Sequence, residues 1–284
     1  MANVRGVWVR LALALSLLIP AWFLVAALGT KFGVLDWRVG FGQMTYGALK
    51  PAIAGLGLAV VAMIGAAVFA LIGLILALAV TPRRGWAFAL VALIIPLAGL
   101  GYGVQVKKST EGVPPIHDVS TDLADPPGFS ATVVAARAAV PDGNGLDLTT
   151  ATLPDNPRFG PLAGKPVLAV HRAAYGDLKP LVTDTPAFDA FQVALDTAEA
   201  QPGWVVDRND AAAGAIEAHV QSFWFGFTDD IAIRVRRLPD DSGTTIDMRS
   251  VSRVGLSDMG ANAKRIRAYM ASLNAKLGEV ATAG

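Results

Sequence analysis

The sequence predicts an α+β protein in which three N-terminal transmembrane helices precede a soluble domain. That domain is expected to hold a roughly four-stranded antiparallel sheet packed by two helices. Three observations carry this expectation. Charge-free stretches of 20, 32 and 22 residues lie between Arg10 and Lys31, Lys50 and Arg83, and Arg84 and Lys107. Apolar and polar residues alternate at strand period in the C-terminal third, most clearly from Thr245 to Val254. An amphipathic run follows at once, with Met259, Ala263, Ile266, Met270, Leu273 and Leu277 at spacings of four and three.

The first element is the membrane domain, residues 1–106. With 53% hydrophobic residues and a mean hydropathy of +0.47, the chain is apolar for its 284 residues, and the excess lies at its front. About 20 uncharged apolar residues suffice to cross a bilayer as a helix, so spans are expected at about 7–30, 52–80 and 87–106. Arg5 and Arg10 could form the basic region of a signal peptide. The apolar run is too long for one and no clean cleavage site closes it, so a retained signal-anchor is the expectation. The second run holds Ala62, Ala66, Ala70, Gly73 and Ala77, small residues that allow close helix packing or dimerisation. Pro20 and Pro96 are tolerable within spans. No acidic, basic or His residue lies inside the three charge-free runs, which argues against a proton relay or ion pathway.

Orientation rests on the first helix. With the N-terminus inside, four basic residues (Arg5, Arg10, Arg83, Arg84) face five (Lys31, Arg38, Lys50, Lys107, Lys108). That count does not separate the two sides, but the basic start of the first helix favours N-in. Three spans then put the soluble domain outside the cytoplasm, so the expected location is an inner (cytoplasmic) membrane, multi-pass, with that domain periplasmic or otherwise extracytoplasmic. The chain has no cysteine, hence no disulfide or thiolate site.

Residues 107–284 form the soluble domain. Residues 107–185 are rich in Pro, Gly and Asp, and Pro114-Pro115 and Pro126-Pro127 bracket an extended strap rather than a helix. The core, 186–277, opens with Thr185-Pro186 as N-cap and first helical residue, then a stripe of Phe188, Phe191, Leu195 and Ala198. Strands are expected at 204–207, 215–225, 231–238 and 244–254, with a hairpin turn at Pro239-Asp240-Asp241-Ser242-Gly243. Short connections imply antiparallel neighbours with the helices on one face. Alternation puts Ile216, Ala218, Val220, Ile231, Ile233, Val235, Ile246 and Met248 on the buried face. Glu217, His219, Gln221, Arg234, Arg236, Asp247 and Arg249 share the other, which reads as a solvated surface or as a polar groove under the strap.

The chemically loaded stretch is the corner between the last strand and the last helix. Six basic residues face one acid between Met248 and Leu277, and Ser257 with Asp258 suits a helix start. Arg249, Arg253 and Arg265 near free N–H groups suit a phosphate or carboxylate. The plainer reading is that they pair with Asp229, Asp230, Asp247 and Asp258 to hold the corner. Residues 1–106 carry seven basic residues and one acid (net +6) and residues 107–284 carry 17 against 22 (net −5). The soluble domain thus lacks the overall positive field of a nucleic-acid binder. No nucleophile elbow, Walker loop, zincin motif or cysteine nucleophile is present. His117-Asp118 and His219-Glu217 could converge if the strap crosses the sheet, which would suit a metal-dependent enzyme or hydrolase that also uses Asp122.

With these residues in view, the soluble half resembles the domain-of-unknown-function family numbered 1499, over roughly 114–277. The resemblance rests on Ile116-His117-Asp118-Val119-Ser120-Thr121-Asp122 with Pro126-Pro127, on Tyr175 with Pro180, and on Gly226-Phe227-Thr228-Asp229-Asp230 with Arg234. It rests further on Arg249-Ser250-Val251-Ser252-Arg253-Val254-Gly255 with Asp258, Gly260, Asn262 and Arg265. The resemblance implies membership and site residues but no reaction. The expectation is a non-enzymatic membrane protein without a cofactor, anchored in lipid. Its ligand is an anionic small molecule, lipid headgroup or protein partner, held by Arg234, Arg249, Ser250, Ser252, Arg253, Asp258, Asn262 and Arg265 with His117, Asp118, Asp122, Asp229 and Asp230. Two alternatives stand beside it, the enzyme above and a structural subunit of a membrane assembly.

Overall fold

A computed structural model describes residues 2–53 and 56–283, and its chain falls into two compact units. The first comprises the chain up to Glu111 together with Phe223–Gly226; the second comprises the remainder.

The first unit holds three helices long and apolar enough to cross a membrane: α1 (Ala2–Lys31), α2 (Leu58–Ala79) and α3 (Trp86–Thr110). Between α1 and α2 lie a π-helical segment, Arg38–Tyr46, and a short antiparallel pair, β1 (Pro51–Ile53) and β2 (Leu56–Gly57). This pair starts α2 six residues later than the expected span. Small residues let the helices approach. Ala77 packs with Val9 and Ala89, and Ala70 packs with Ala12 and Ala92. A Cβ at Gly73 would meet the Trp8 ring at 3.2 Å. Hence Ala70, Gly73 and Ala77 serve packing within this chain, while Met63 and Ala67, not Ala62 and Ala66, complete the buried stripe of α2. Ser16 Oγ donates to Ala92 O at 2.7 Å, satisfying a hydroxyl that lipid could not. Arg5 Nη1 donates to Val80 O and Pro82 O at the C-terminal end of α2, where a cation complements the helix dipole.

The second unit is α+β, with more sheet than expected. Its elements are β3 (Asp118–Ser120), α4 (Ala131–Ala138), α5 (Val167–Ala174), β4 (Leu181–Thr183) and α6 (Ala187–Glu199). Then come β5 (Trp204–Asp210), β6 (Ala215–Gln221), β7 (Thr228–Arg237), β8 (Thr244–Ser252) and α7 (Ala261–Ala283). The antiparallel order is β3-β8-β7-β6-β5, and β4 also pairs with β8. β3 lies against Arg249–Val251 and β4 against Thr244–Ile246, so two short strands share one edge of β8 end to end. Three-residue strands are too short to show an alternation, which is why the sequence suggested four strands.

The α6 and α7 side of the sheet is the hydrophobic core. Ile216, Ile231, Ile233, Ile246 and Met248 meet Phe191, Ala194, Ile266, Tyr269 and Leu273, all buried. Each Ile, Leu, Met or Phe among them contributes roughly 1.5–3 kcal/mol on burial. The α6 stripe is turned from the expected one. Phe188 is exposed, and Ala190, Phe191, Ala194, Thr197 and Ala198 face inward. Thr185 stands outside the cap, its Oγ1 3.0 Å from that of Thr183 and its carbonyl accepting from Thr244. At the other end of the domain α7 begins at Ala261, because Met259 (φ 54°) and Gly260 (φ 82°) are left-handed and cannot continue a helix backwards. Asp258 instead reaches over them, accepting from Gly260 N and Asn262 N at 2.8 Å each.

The opposite sheet face is covered in part. Residues 122–148, including α4, lie over Glu217, Asp230, Asp247 and Arg249, all buried, while Gln221 and Arg236 are exposed and His219 is half-buried. The expectation of helices on one face only is thereby corrected. Ser130 caps α4 and ties it to Glu217 of β6 through both its backbone N–H and its hydroxyl.

Candidate functional site

The arginine corner is built from strand alternation. Consecutive residues of β7 point to opposite faces, so Asp229 and Asp230 feed two different networks. On the α7 side, Asp229 accepts from Arg265 Nη2 at 2.7 Å. Arg265 Nη1 also donates to Ser250 Oγ at 2.9 Å and to Asn262 Oδ1 at 2.5 Å. Asn262, fully buried, donates to His117 O and Ser252 Oγ and accepts from Ser250 Oγ at 2.7 Å. Asp229, Arg265, Asn262, Ser250 and Ser252 therefore all find partners inside the domain. The N–H groups at the start of α7 are occupied too, since Asp258 holds two of them. Burial pushes the Asp258 carboxyl above the usual aspartate range, against the pull of those two N–H donors.

On the strap side, β3 sets Asp118 opposite Val251 and so diagonally across from Arg249. The pair is bidentate, Nε–Oδ1 2.9 Å and Nη2–Oδ2 2.6 Å, with both side chains buried. The Arg249 guanidinium also donates to Pro127 O and Leu146 O. It lies 5.7 Å from the Phe129 ring. Four of the five N–H donors of this guanidinium are thus taken inside the domain.

Asp230 is different. Its carboxylate, 1% exposed, receives Arg137 Nη1 from α4 at 2.7 Å. It also receives Arg253 Nε at 2.9 Å and Nη2 at 2.7 Å. Two guanidinium groups share this one carboxylate, so the direct contacts hold one more positive than negative charge, offset in part by Asp207 acting on Arg253 from further away. Arg137 is buried and donates onward to Val251 O, Ser252 O and Asn144 O. The Arg253 side chain keeps 22% of its exposure, making it the member that solvent reaches. The Asp230 hydrogen bonds hold Arg253 even more firmly protonated than usual.

A third cluster lies further along the same face. Arg234 and Arg236 converge on Asp247 Oδ2 (3.0 and 3.1 Å) and on Asp125 Oδ2 (3.0 and 2.9 Å), with Asp122 at 3.4 Å from Arg234. Two cations face three carboxylates here, so the local balance is −1. An anion finds no attraction at this end.

The histidines do not converge. His117 precedes β3 and His219 lies on β6, three strand spacings apart, about 14 Å. His219 pairs with Asp207 at 2.8 Å, and Asp118 already holds Arg249. His117 lines a small cleft of about 70 Å³ with Asp118, Asp147, Leu148, Leu153 and Leu256, and burial lowers its pKa. No group of three or more His, Cys, Asp or Glu residues with metal-binding geometry occurs among the described residues.

The structure thus gathers the corner residues anticipated from sequence around β8, β3 and the start of α7, and it adds residues the sequence reading missed. Arg137 and Asn144 are the important ones. Asn144 donates to Ser252 O and Gly255 O, clamping the chain after β8. The signal that could have found Arg137 is local: Ser130 before an Ala- and Val-rich run is an N-cap followed by a short helix. His171 of α5 was also missed; it is buried, its Nε2 accepts from Ser120 N at 3.2 Å, and burial lowers its pKa.

Residues 118–273, more than half of the chain, match the sequence profile of a family described as "Protein of unknown function (DUF1499)". No curated protein and no solved structure matches the chain.

Proposed function

The chain belongs to the DUF1499 family, and from that premise we propose that it is a membrane-anchored, non-catalytic binding module for a ligand bearing a phosphate or carboxylate group. The observation that supports this reading is the Asp230 site, where Arg137 and Arg253 together outweigh a single carboxylate. Arg253 makes the contact, Arg137 and Asp230 fix its guanidinium, and the paired sets Arg249–Asp118 and Arg265–Asp229 hold the surrounding backbone rigid. A preset guanidinium loses little freedom on binding, which favours an oxyanion over a flexible lysine-type contact. Asn262, Ser250 and Ser252 are positioning residues in this scheme, as are Asp258, which seats the start of α7, and His117, whose carbonyl accepts from Asn262. Arg234 and Asp122 fasten the strap over the face. We place the N-terminus inside and the domain outside the cytoplasm of an inner membrane, on the strength of Arg5 and Arg10 before the first span.

The test is thermal unfolding of the full chain in detergent, with inorganic phosphate or citrate replacing chloride at constant ionic strength. A ligand at 100 times its dissociation constant stabilises by about 2.7 kcal/mol. Phosphate or citrate should raise the midpoint of the wild type and leave Arg253→Gln unmoved. Equal shifts in both proteins, or none in the wild type, would remove Asp230–Arg253 as the site.

A further inference from the structure

The link from β6 to β7 carries three consecutive aromatic residues, Phe223-Trp224-Phe225, which cluster with the helical unit rather than with the sheet. Trp224 packs edge-on against Phe23 of α1 at 5.2 Å, and Phe225 packs against Phe23 at 5.9 Å and Phe41 at 5.1 Å. Lys31, the last residue of α1, donates from Nζ to Phe223 O at 2.9 Å, with the same ammonium 5.0 Å from the Phe223 ring. Gly226 sits at φ 69°, and a Cβ there would come within 3.3 Å of Lys31 Cα, so the turn is shaped for this approach.

Even so, Phe223 remains 74% exposed and Trp224 43%. Two large aromatic side chains left open beside Lys31 call for an apolar occupant. The surroundings identify it. Phe23 lies eight residues before Lys31, about 12 Å along the helix axis, and Lys31 ends the apolar run. Trp22 donates from Nε1 to Met44 O, and Phe41 stacks on Tyr46. Aromatic rings together with a terminal lysine, at the end of a span, are the composition of the zone between headgroups and acyl chains. Connectivity agrees. An odd number of spans brings the 32–57 segment and everything after α3 to the same side of the membrane, so the aromatic link reaches the end of α1 without a crossing.

We infer that Phe223-Trp224-Phe225 is a membrane-interface anchor: its exposed rings enter the headgroup–acyl boundary of the leaflet at the C-terminal end of α1. The inference stands independently of the anion site.

The absence of cysteine in the chain allows a direct test. Phe223→Cys and Trp224→Cys, each in the full chain and reconstituted in phosphatidylcholine vesicles, are given a nitroxide label. Ala212→Cys, in the exposed turn between β5 and β6, serves as the aqueous reference. Labels at 223 and 224 should collide more with lipid-soluble oxygen than with a water-soluble nickel chelate, and the label at 212 should show the reverse. Water-like behaviour at 223 and 224 overturns the inference. Shielding from both reagents overturns it too, since a protein surface and not lipid would then cover the rings. Because the Phe223 side chain is largely outside the packed interior, labelling it does not test folding.

Discussion

Replacing Asp230 by Asn puts the central feature of the site to the proof. The substitution keeps the shape of the side chain and removes the charge that two guanidinium groups share. Arg137, 5% exposed, would stay buried without a counter-ion, and the new amide would turn an N–H₂ toward donors. Breaking a buried pair by removing one partner costs about 3–5 kcal/mol. Arg137 keeps three backbone carbonyl partners and Arg253 can turn to water, so the lower end, about 3 kcal/mol, is expected. At roughly 2–4 °C per kcal/mol for a domain of this size, the midpoint should fall by about 6–12 °C. Arg253→Gln should behave differently. It removes the part-exposed partner while Arg137 still neutralises Asp230, so its cost should be about 1 kcal/mol. The assay is thermal unfolding of the full chain in detergent, followed by near-UV circular dichroism and by protease sensitivity of the sheet domain. If Asp230→Asn costs no more than Arg253→Gln, Asp230 is not the shared counter-ion and the surplus-charge argument fails with it.

Two further outcomes follow from the same reasoning. Burial lowers the pKa of both His117 and His171, so below about pH 6.5 the unfolded chain takes up protons that the folded chain refuses. Stability is then full above that pH and falls as pH drops through it, by up to about 1.4 kcal/mol per pH unit for each histidine. Protonation of Asp258, whose pKa is raised, acts in the opposite sense at lower pH. Unfolding midpoints from pH 7.5 to 5.5 should therefore decline, with a shallower slope in His171→Gln; a flat profile in the wild type contradicts the assignment. Among the left-handed glycines, Gly214→Ala should destabilise far more than Gly260→Ala. Both carry the left-handed penalty of about 1–2 kcal/mol, but only at Gly214 would the new Cβ lie 2.1 Å from a backbone oxygen, that of Val235, against 3.5 Å from a Val113 methyl at Gly260. Urea midpoints of the two variants would show the order, and equal losses would contradict it.

How much of this was legible in the sequence depends on the range of the interaction. The spans were plain because lipid imposes a long uniform pattern on the chain. Strands β5 to β8 were plain because each is at least seven residues long and alternates over one buried face. The start of α7 was misplaced by three residues, since nothing local announces that Met259 would adopt a left-handed conformation. Strands β3 and β4 were hidden because three residues carry no period; they exist because β8 offers them an edge. The polar face was the hardest part. Its alternation is what a solvated sheet shows, and only the cover supplied by residues 122–148 turns the part around Glu217, Asp230, Asp247 and Arg249 into an interior.

That cover also decides the chemistry. Counting charge along the corner alone suggests a basic patch, six cations against one acid, but the acids that answer it arrive from elsewhere. Asp118 comes 131 residues before Arg249, and Asp229 36 residues before Arg265. With those in place, and with Asp230 on Arg253, each of the three corner arginines has a carboxylate of its own, and an anion would gain little from them. The balance tips back because the cover brings a cation of its own: Arg137 lies 93 residues from Asp230 in sequence and docks on a carboxylate that Arg253 already holds. Removing Arg137 from the tally makes every arginine of the corner an ordinary ion pair. The helix that buries the polar face is therefore also what leaves Arg253 with charge to spare, and loss of anion binding in Arg137→Met, with Arg253 retained, is the result this account requires.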